Sequence, residues 1–194
     1  MNNTGILILA AGSSSRFGSA KQLVNYNKKT LLQHVIDEAV FSGAEPVIVV
    51  TGANADEITK EIRNDDVHIA FNDHWQKGMA GSIVTGLRAA MAYKVDKIII
   101  SVSDQPFVSA LLFNKLYHAQ EESGQPIAAC AYAETIGTPA LFTQKYFDAL
   151  LSLDGEQGAK KILQANKEHM AIVDFPEGYI DIDTAADFKN LLEQ

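Results

Sequence analysis

Short apolar runs alternate with helical periodicity along most of this chain, and that alternation leaves few folds open to it. Ile6-Leu7-Ile8-Leu9, Pro46-Val47-Ile48-Val49-Val50, Val67–Phe71, Lys97-Ile98-Ile99-Ile100-Ser101-Val102 and Pro126–Ala131 have the length and branching of strands. Between them lie helical patterns at Thr30–Phe41, Asn54–Arg63, Gly81–Tyr93 and Ser109–Glu122, and another follows at Thr184–Leu192. Leu31, Leu32, Val35 and Ala39 make the apolar stripe of the first helix, and Ser42-Gly43 stops it. Thr30-Leu31-Leu32-Gln33 reads as a capping box. Repeated strand–helix units predict an α/β fold with a mainly parallel sheet covered by helices on both faces. No repeat, linker or low-complexity tract divides residues 1–194, so one domain is expected. In such sheets ligands gather at the carboxyl ends of the strands.

The turns at those ends are small or polar. After the first strand comes Leu9-Ala10-Ala11-Gly12-Ser13-Ser14-Ser15-Arg16-Phe17-Gly18-Ser19-Ala20-Lys21. Its alanines leave bare backbone against which a flat base can lie. Gly12 and Gly18 permit backbone angles closed to other residues. The serines supply hydroxyls and N–H groups suited to an anion nest, and Arg16 and Lys21 supply a planar fork and a point charge. The stretch reads as a cradle for a nucleoside triphosphate. The loop, about twenty residues, is long enough to be functional or disordered. It is not a P-loop, because Lys21 comes three residues after Gly18 and Gln22 follows it, and it lacks G-x-G-x-x-G. The later strand ends give Thr51-Gly52-Ala53, then Asn72-Asp73-His74-Trp75 with Gly78-Met79-Ala80-Gly81-Ser82, then Ser103-Asp104-Gln105-Pro106.

Asp104 follows an apolar run and so is expected at the mouth of the sheet, where a carboxylate can hold Mg²⁺ against phosphate oxygens. An Asx-turn is its other reading. Asp181 and Asp183 fall on one side of an extended segment; one can join Asp104 at a metal and the other can cap the helix that follows.

Composition narrows the function. A net charge of −8 argues against broad nucleic-acid binding, and 47% apolar with 21% charged residues argues for a soluble globular protein. Cys130 is alone, so no internal disulfide forms, and its apolar neighbours make it a packing residue. No apolar run approaches the ~18 residues of a membrane span, and the N-terminal pattern does not fit a secretory signal; a cytoplasmic location is expected. The five histidines lack zinc spacing, and there is no G-x-S-x-G elbow.

The residues from Leu9 to Lys21 resemble the signature L-A-A-G-x-S-x-R-x-G-x-x-K of the MobA-like NTP transferase superfamily, with Phe17 where many relatives carry Met. Asp104-Gln105-Pro106 resembles the acidic metal motif of its molybdenum-cofactor cytidylyltransferase branch. Asn72-x-x-Trp75, Gly78-Met79-x-x-Ser82 and the Gly-Leu-containing helix that follows are similar to that branch too. Gly137-Thr138-Pro139 resembles a segment that in relatives reads Gly-His-Pro and faces the acceptor; Thr138 replaces the His. Gly155-Glu156-Gln157-Gly158-Ala159 resembles a turn opening a helix near the acceptor.

The resemblance implies a Rossmann-like, nucleotide-diphospho-sugar transferase fold and transfer of CMP from CTP to the terminal phosphate of molybdenum-molybdopterin, with Mg²⁺ as cofactor. Lys21 would hold phosphate near the α position, and Arg16 with the Gly12–Ser15 backbone would hold the β and γ phosphates. Asp104 and Asp183 would hold the metal; by resemblance the aspartate before Thr is the ligand. Ala10, Ala11, Gly52 and Ser82 would surround cytosine and ribose, with Leu9 and Gly78 in the same pocket. A client molybdoenzyme or its chaperone is the expected partner for the product. GTP in place of CTP, another acceptor, and a non-catalytic nucleotide-binding chaperone are the alternatives; the double alanine favours a cytidine reader.

Overall fold

The computed structural model describes Met1 and residues 3–192. Strand β1 (Thr4–Leu9) leads into the cradle loop, which carries a 3₁₀ turn at Lys21–Leu23 and a hairpin of β2 (Asn25–Tyr26) and β3 (Lys29–Thr30) before α1 (Leu31–Phe41). There follow β4 (Val47–Thr51), α2 (Ala55–Glu61), β5 (Val67–Phe71), α3 (Met79–Met91), β6 (Lys97–Val102) and α4 (Ala110–Ser123). The last third contains β7 (Ile127–Tyr132), β8 (Thr135–Thr143), α5 (Phe147–Leu151), α6 (Ala159–Ala165), β9 (Met170–Asp174) and α7 (Ala185–Leu192).

Seven strands form one sheet in the order β5-β4-β1-β6-β8-β7-β9, all parallel except β8. Period-two alternation divides its side chains between two cores. Leu7, Leu9, Ile48, Val50, Ile98 and Ile100 pack under α3, α5 and α6. Ile6, Ile8, Val47, Val49 and Ile99 pack under α1, α2 and α4. With both faces covered, the central strands have no polar side to show, which is why they read as unbroken apolar runs. Ile6, Leu7 and Ile8 are fully buried, each worth about 1.5–3 kcal/mol of transfer free energy. Helix α3 approaches the sheet closely at Gly86, where an added Cβ would stand 2.7 Å from Val50 and 3.1 Å from Leu7.

The expected mainly parallel sheet with helices on both faces is present. Boundaries move for identifiable reasons. β4 starts at Val47 because Pro46 has no N–H; its carbonyl still accepts from Ile6 N at 2.9 Å. α3 starts two residues early, at Met79, beyond Gly78 at φ 108°. The capping box at α1 is half formed: Thr30 Oγ1 accepts from Gln33 N, but the Gln33 side chain turns to Asp37 and to the Arg63 backbone. β8 was not visible as a strand. It turns back from β7 through Ala133 and Glu134, at φ 44° and 59°, a two-residue hairpin without the usual Asn or Gly. It then carries Thr138 and Pro139 as extra residues where Cys130 pairs Gly137 and Ala129 pairs Ala140. In the cradle, Gly12 does not have positive φ; Ser14 (54°) and Gly18 (86°) do, and Ser14 O accepts from Phe17 N and Gly18 N to close the turn.

A third, smaller core ties the chain's distant parts together. Leu31, Ile182 and Leu191 are buried there, with Phe17, Tyr26, Phe107 and Phe188 packed around them. It joins the cradle loop, the start of α1 and the segment before α7.

Candidate active site

The sheet changes winding direction at β1, since the connections pass from β1 to β4 and β5 and then back to β6 on its other side. Ligand crevices form at such switch points. A cleft of about 580 Å³ opens there, at the ends of β1 and β6, within the ordinary range for small-molecule sites. Leu9 and Val102, the last residues of those strands, form its floor.

Two acids and two bases meet in the cleft. The 3₁₀ turn carries Lys21, whose Nζ donates to Asp104 Oδ2 and to Asp183 Oδ1, each at 2.7 Å. Arg16 Nη2 lies 2.8 Å from Asp183 Oδ2. Burial alone would lower the pKa of the Lys21 ammonium, but the two carboxylates outweigh it and hold it above the ordinary lysine value. The Lys21 hydrogen bond, against the opposing effect of burial and with the charges of Lys21 and Arg16, holds Asp183 below the usual carboxylate range. Asp181 also lines the cleft. Burial, with the charges of Asp104 and Asp183, pushes its carboxyl up.

The local sequence explains how the C-terminal acids arrive. Ile182 is fully buried and its N–H donates to Asp104 O at 3.0 Å, which pins the segment beside β6 and turns both flanking aspartates into the cleft. Neither aspartate caps α7, contrary to the expectation from sequence. Thr184 does so: its Oγ1 accepts from Asp187 N, while Asp187 Oδ2 takes the N–H groups of Asp183 and Thr184. A Thr with an acid three residues on is a capping box, and it leaves the Asp183 carboxylate free for the cleft.

Of the remaining expected residues, Leu9, Ala11, Gly12, Ser13, Gly78 and Ser82 line the cleft. Ser82 Oγ accepts from Asn72 Nδ2 at 3.1 Å, and Asn72 Oδ1 takes His74 N. Gly78 faces Gly155, whose carbonyl an added Cβ would meet at 2.4 Å. Four expected residues do not line the cleft. Ala10 is buried among the strands under α1. The Ser14 hydroxyl turns inward to Gln22. Ser15 is exposed but outside the cleft. Gly52 packs against Ala11 and Trp75, where a Cβ would stand 2.9 and 2.6 Å from theirs. Thr138, expected to face an acceptor, does not line the cleft, and its carbonyl accepts from Gln105.

Sequence reasoning missed Gln22 and Gln76 as cleft residues; Glu156, in the turn the resemblance placed near the acceptor, lines the cleft. Gln22 offered no signal in the sequence, being a polar residue in a polar loop, and only the structure shows it 1% exposed.

Among the described residues no group of three or more His, Cys, Asp or Glu has the geometry to hold a metal. Asp104 and Asp183 nevertheless already converge on one cationic point, the Lys21 ammonium. That donor set fits Mg²⁺, which takes one or two carboxylates and completes its shell with phosphate and water.

Residues 6–170 match the MobA-like NTP transferase domain. Nicotine blue oxidoreductase of Paenarthrobacter nicotinovorans is 27% identical over 201 residues, covering 97% of this chain and 96% of its own. The Rv0371c homologue from Mycobacterium sp. strain JC1 superposes with a TM-score of 0.83 at 26% identity, over 98% of this chain and 96% of that one. Rv0371c of Mycobacterium tuberculosis in complex with manganese superposes with a TM-score of 0.76 at 26% identity, over 98% of each chain.

Proposed function

The chain belongs to the MobA-like NTP transferase family, and on that premise we propose that it transfers CMP from CTP to the terminal phosphate of molybdenum-molybdopterin. An acceptor phosphate oxygen attacks the α-phosphorus, the bond from that phosphorus to the bridging oxygen breaks, and pyrophosphate leaves with the electron pair. A phosphate monoester is largely dianionic at neutral pH, its second pKa being about 6, so no protein base is needed. The requirement is alignment and relief of charge repulsion.

One observation carries this reading: a single ammonium, Lys21, held 2.7 Å from two carboxylates beside a serine-rich loop. The loop's backbone N–H groups from Gly12 to Arg16 donate to nothing among the described residues. They would hold the β and γ phosphates together with Arg16, and Lys21 would hold the α-phosphate as negative charge develops on it. Asp104 and Asp183 would hold Mg²⁺, which when bound neutralises the triphosphate. The manganese-bound relative supports a divalent metal in this family. Ala11 and Ser82 would meet the base and ribose. The motif resemblances at Asn72–Ser82 and Asp104–Pro106 support CTP and the molybdopterin acceptor.

The full-length likeness to nicotine blue oxidoreductase makes reduction of a small substrate the second reading. One assay separates the two. The protein is incubated with molybdenum-loaded molybdopterin, Mg²⁺ and CTP, GTP, ATP or UTP, and pyrophosphate is measured. Acceptor-dependent release with CTP is expected. Equal release with GTP moves the nucleotide assignment; no release with any nucleotide removes the transfer reading and leaves oxidoreduction standing.

A further inference from the structure

Gln22 sits under the cradle, and both N–H groups and the carbonyl oxygen of its amide are engaged by the loop. Nε2 donates to Ala10 O at 3.2 Å and to Gly12 O at 3.0 Å. Oε1 accepts from Ser14 Oγ at 3.1 Å, and that same oxygen of Ser14 accepts from Lys21 N at 3.2 Å. One buried carboxamide thus closes a ring from the end of β1, through the loop, to the backbone of the lysine beside it.

The ring sets which backbone groups face the cleft. In a trans peptide the N–H points away from the carbonyl of the preceding residue. With the Ala10 and Gly12 carbonyls turned down onto Gln22, the N–H groups of Ala11 and Ser13 turn the other way. The carbonyl between them, Ala11 O, is removed as well, accepting from Ala53 N at 3.0 Å. Three successive carbonyls are thereby kept off the surface of a loop whose N–H groups from Gly12 to Arg16 donate to nothing among the described residues. Without the amide, the Ala10 and Gly12 carbonyls would have to find water or face an incoming anion and repel it. Asn is too short to span both carbonyls, and Glu would set two acceptors against them.

From this ring we infer that Gln22 is the positioning residue of the triphosphate subsite: it makes the cradle an anion site by holding the loop's carbonyls inward, and it does so without touching the nucleotide chemistry. The inference rests on the triphosphate reading of the cleft. The phosphate part of the site therefore has its own determinant, separate from the part that meets the base.

Calorimetric titration of the full chain with inorganic tripolyphosphate, CTP and cytidine, each with Mg²⁺, tests it. Wild type is expected to bind tripolyphosphate. Gln22→Met, which keeps the volume and removes the hydrogen bonds, should lose at least 10-fold in affinity for tripolyphosphate and for CTP while cytidine affinity changes less than 2-fold. Ser14→Gly suits the positive φ at that position and removes only the bridging hydroxyl, so it keeps the fold and should show a smaller loss of the same kind. A purely structural role would weaken all three ligands together, in step with the melting temperature, and that result overturns the inference. So does unchanged tripolyphosphate affinity in both variants. If wild type binds neither tripolyphosphate nor CTP, the triphosphate reading itself falls and this one with it.

Discussion

Replacing Lys21 with Met removes the one ammonium that both Asp104 and Asp183 grip, and the consequences can be worked from the geometry. Unit charges about 4 Å apart attract by about 4 kcal/mol at an effective dielectric of 20. Breaking a buried pair costs about 3–5 kcal/mol because the surviving charge is stranded. Here the side chains are 14%, 20% and 27% exposed, and water reaches the stranded acids, so about 2 kcal/mol is the expected loss at neutral pH. For a domain of this size that is a fall of about 4–8 °C in Tm. The pH dependence has a definite sign. Asp183 has a lowered folded pKa, so its contribution is present above the ordinary carboxylate value of about 3.9 and is lost as pH falls through the folded value. Lys21 is raised, so its contribution is present below about 10.4 and is lost only as pH rises through its folded value. The gap between wild type and Lys21→Met, measured by urea denaturation, is therefore full at neutral pH and closes in acid. Millimolar Mg²⁺ without nucleotide should raise the variant's Tm more than the wild type's, since the acids of the wild type already hold a cation. A gap under about 0.5 kcal/mol at neutral pH, a gap that does not close in acid, or equal response to Mg²⁺ would refute the account.

Three other outcomes are expected. Asp104→Asn should lower nucleotidyl transfer by orders of magnitude while the circular dichroism spectrum stays that of wild type; near-normal turnover would remove Asp104 from the metal site. Treatment with EDTA should abolish pyrophosphate release and excess Mg²⁺ should restore it, and activity that survives chelation would dismiss the divalent metal. Gly86→Ala gains about 1 kcal/mol of helix propensity but drives a methyl into Val50 and Leu7, a clash costing about 1–3 kcal/mol, so chemical denaturation should show a net loss of up to about 2 kcal/mol; a stabilised variant would mean that α3 sits farther from the sheet than described.

Much of the fold was legible because burial on both faces forces an unmistakable pattern: β1, β4 and β6 are apolar runs, and the ends of β1 and β6 mark the cleft. What stayed hidden depends on contacts distant in sequence. β8 carries Gly137 and Pro139, residues that speak against a strand interior, and its Pro is tolerated because it falls where the ladder with β7 skips. In the cleft, the placement of Arg16, Lys21 and Asp104 was readable from charge beside strand ends, while Asp183 was singled out by the resemblance alone. Asp181 and Asp183 could not be separated from helix capping, because the decision belongs to Thr184 and Asp187. Gln22 was invisible for the opposite reason: a polar residue in a polar loop looks solvated until the carbonyls beneath which it lies are known.

The docking of Ile182 against Asp104 O and into the Leu31–Leu191 cluster has a consequence for how the protein is made. The ribosome delivers the cradle and Lys21 more than 150 residues before Asp183. A nascent chain therefore has its cationic loop long before the acidic partner that neutralises it. Termination or proteolytic trimming ahead of residue 181 would leave a protein with every strand of its sheet but a crevice stripped of two of its four acids, with Lys21 gripped by Asp104 alone.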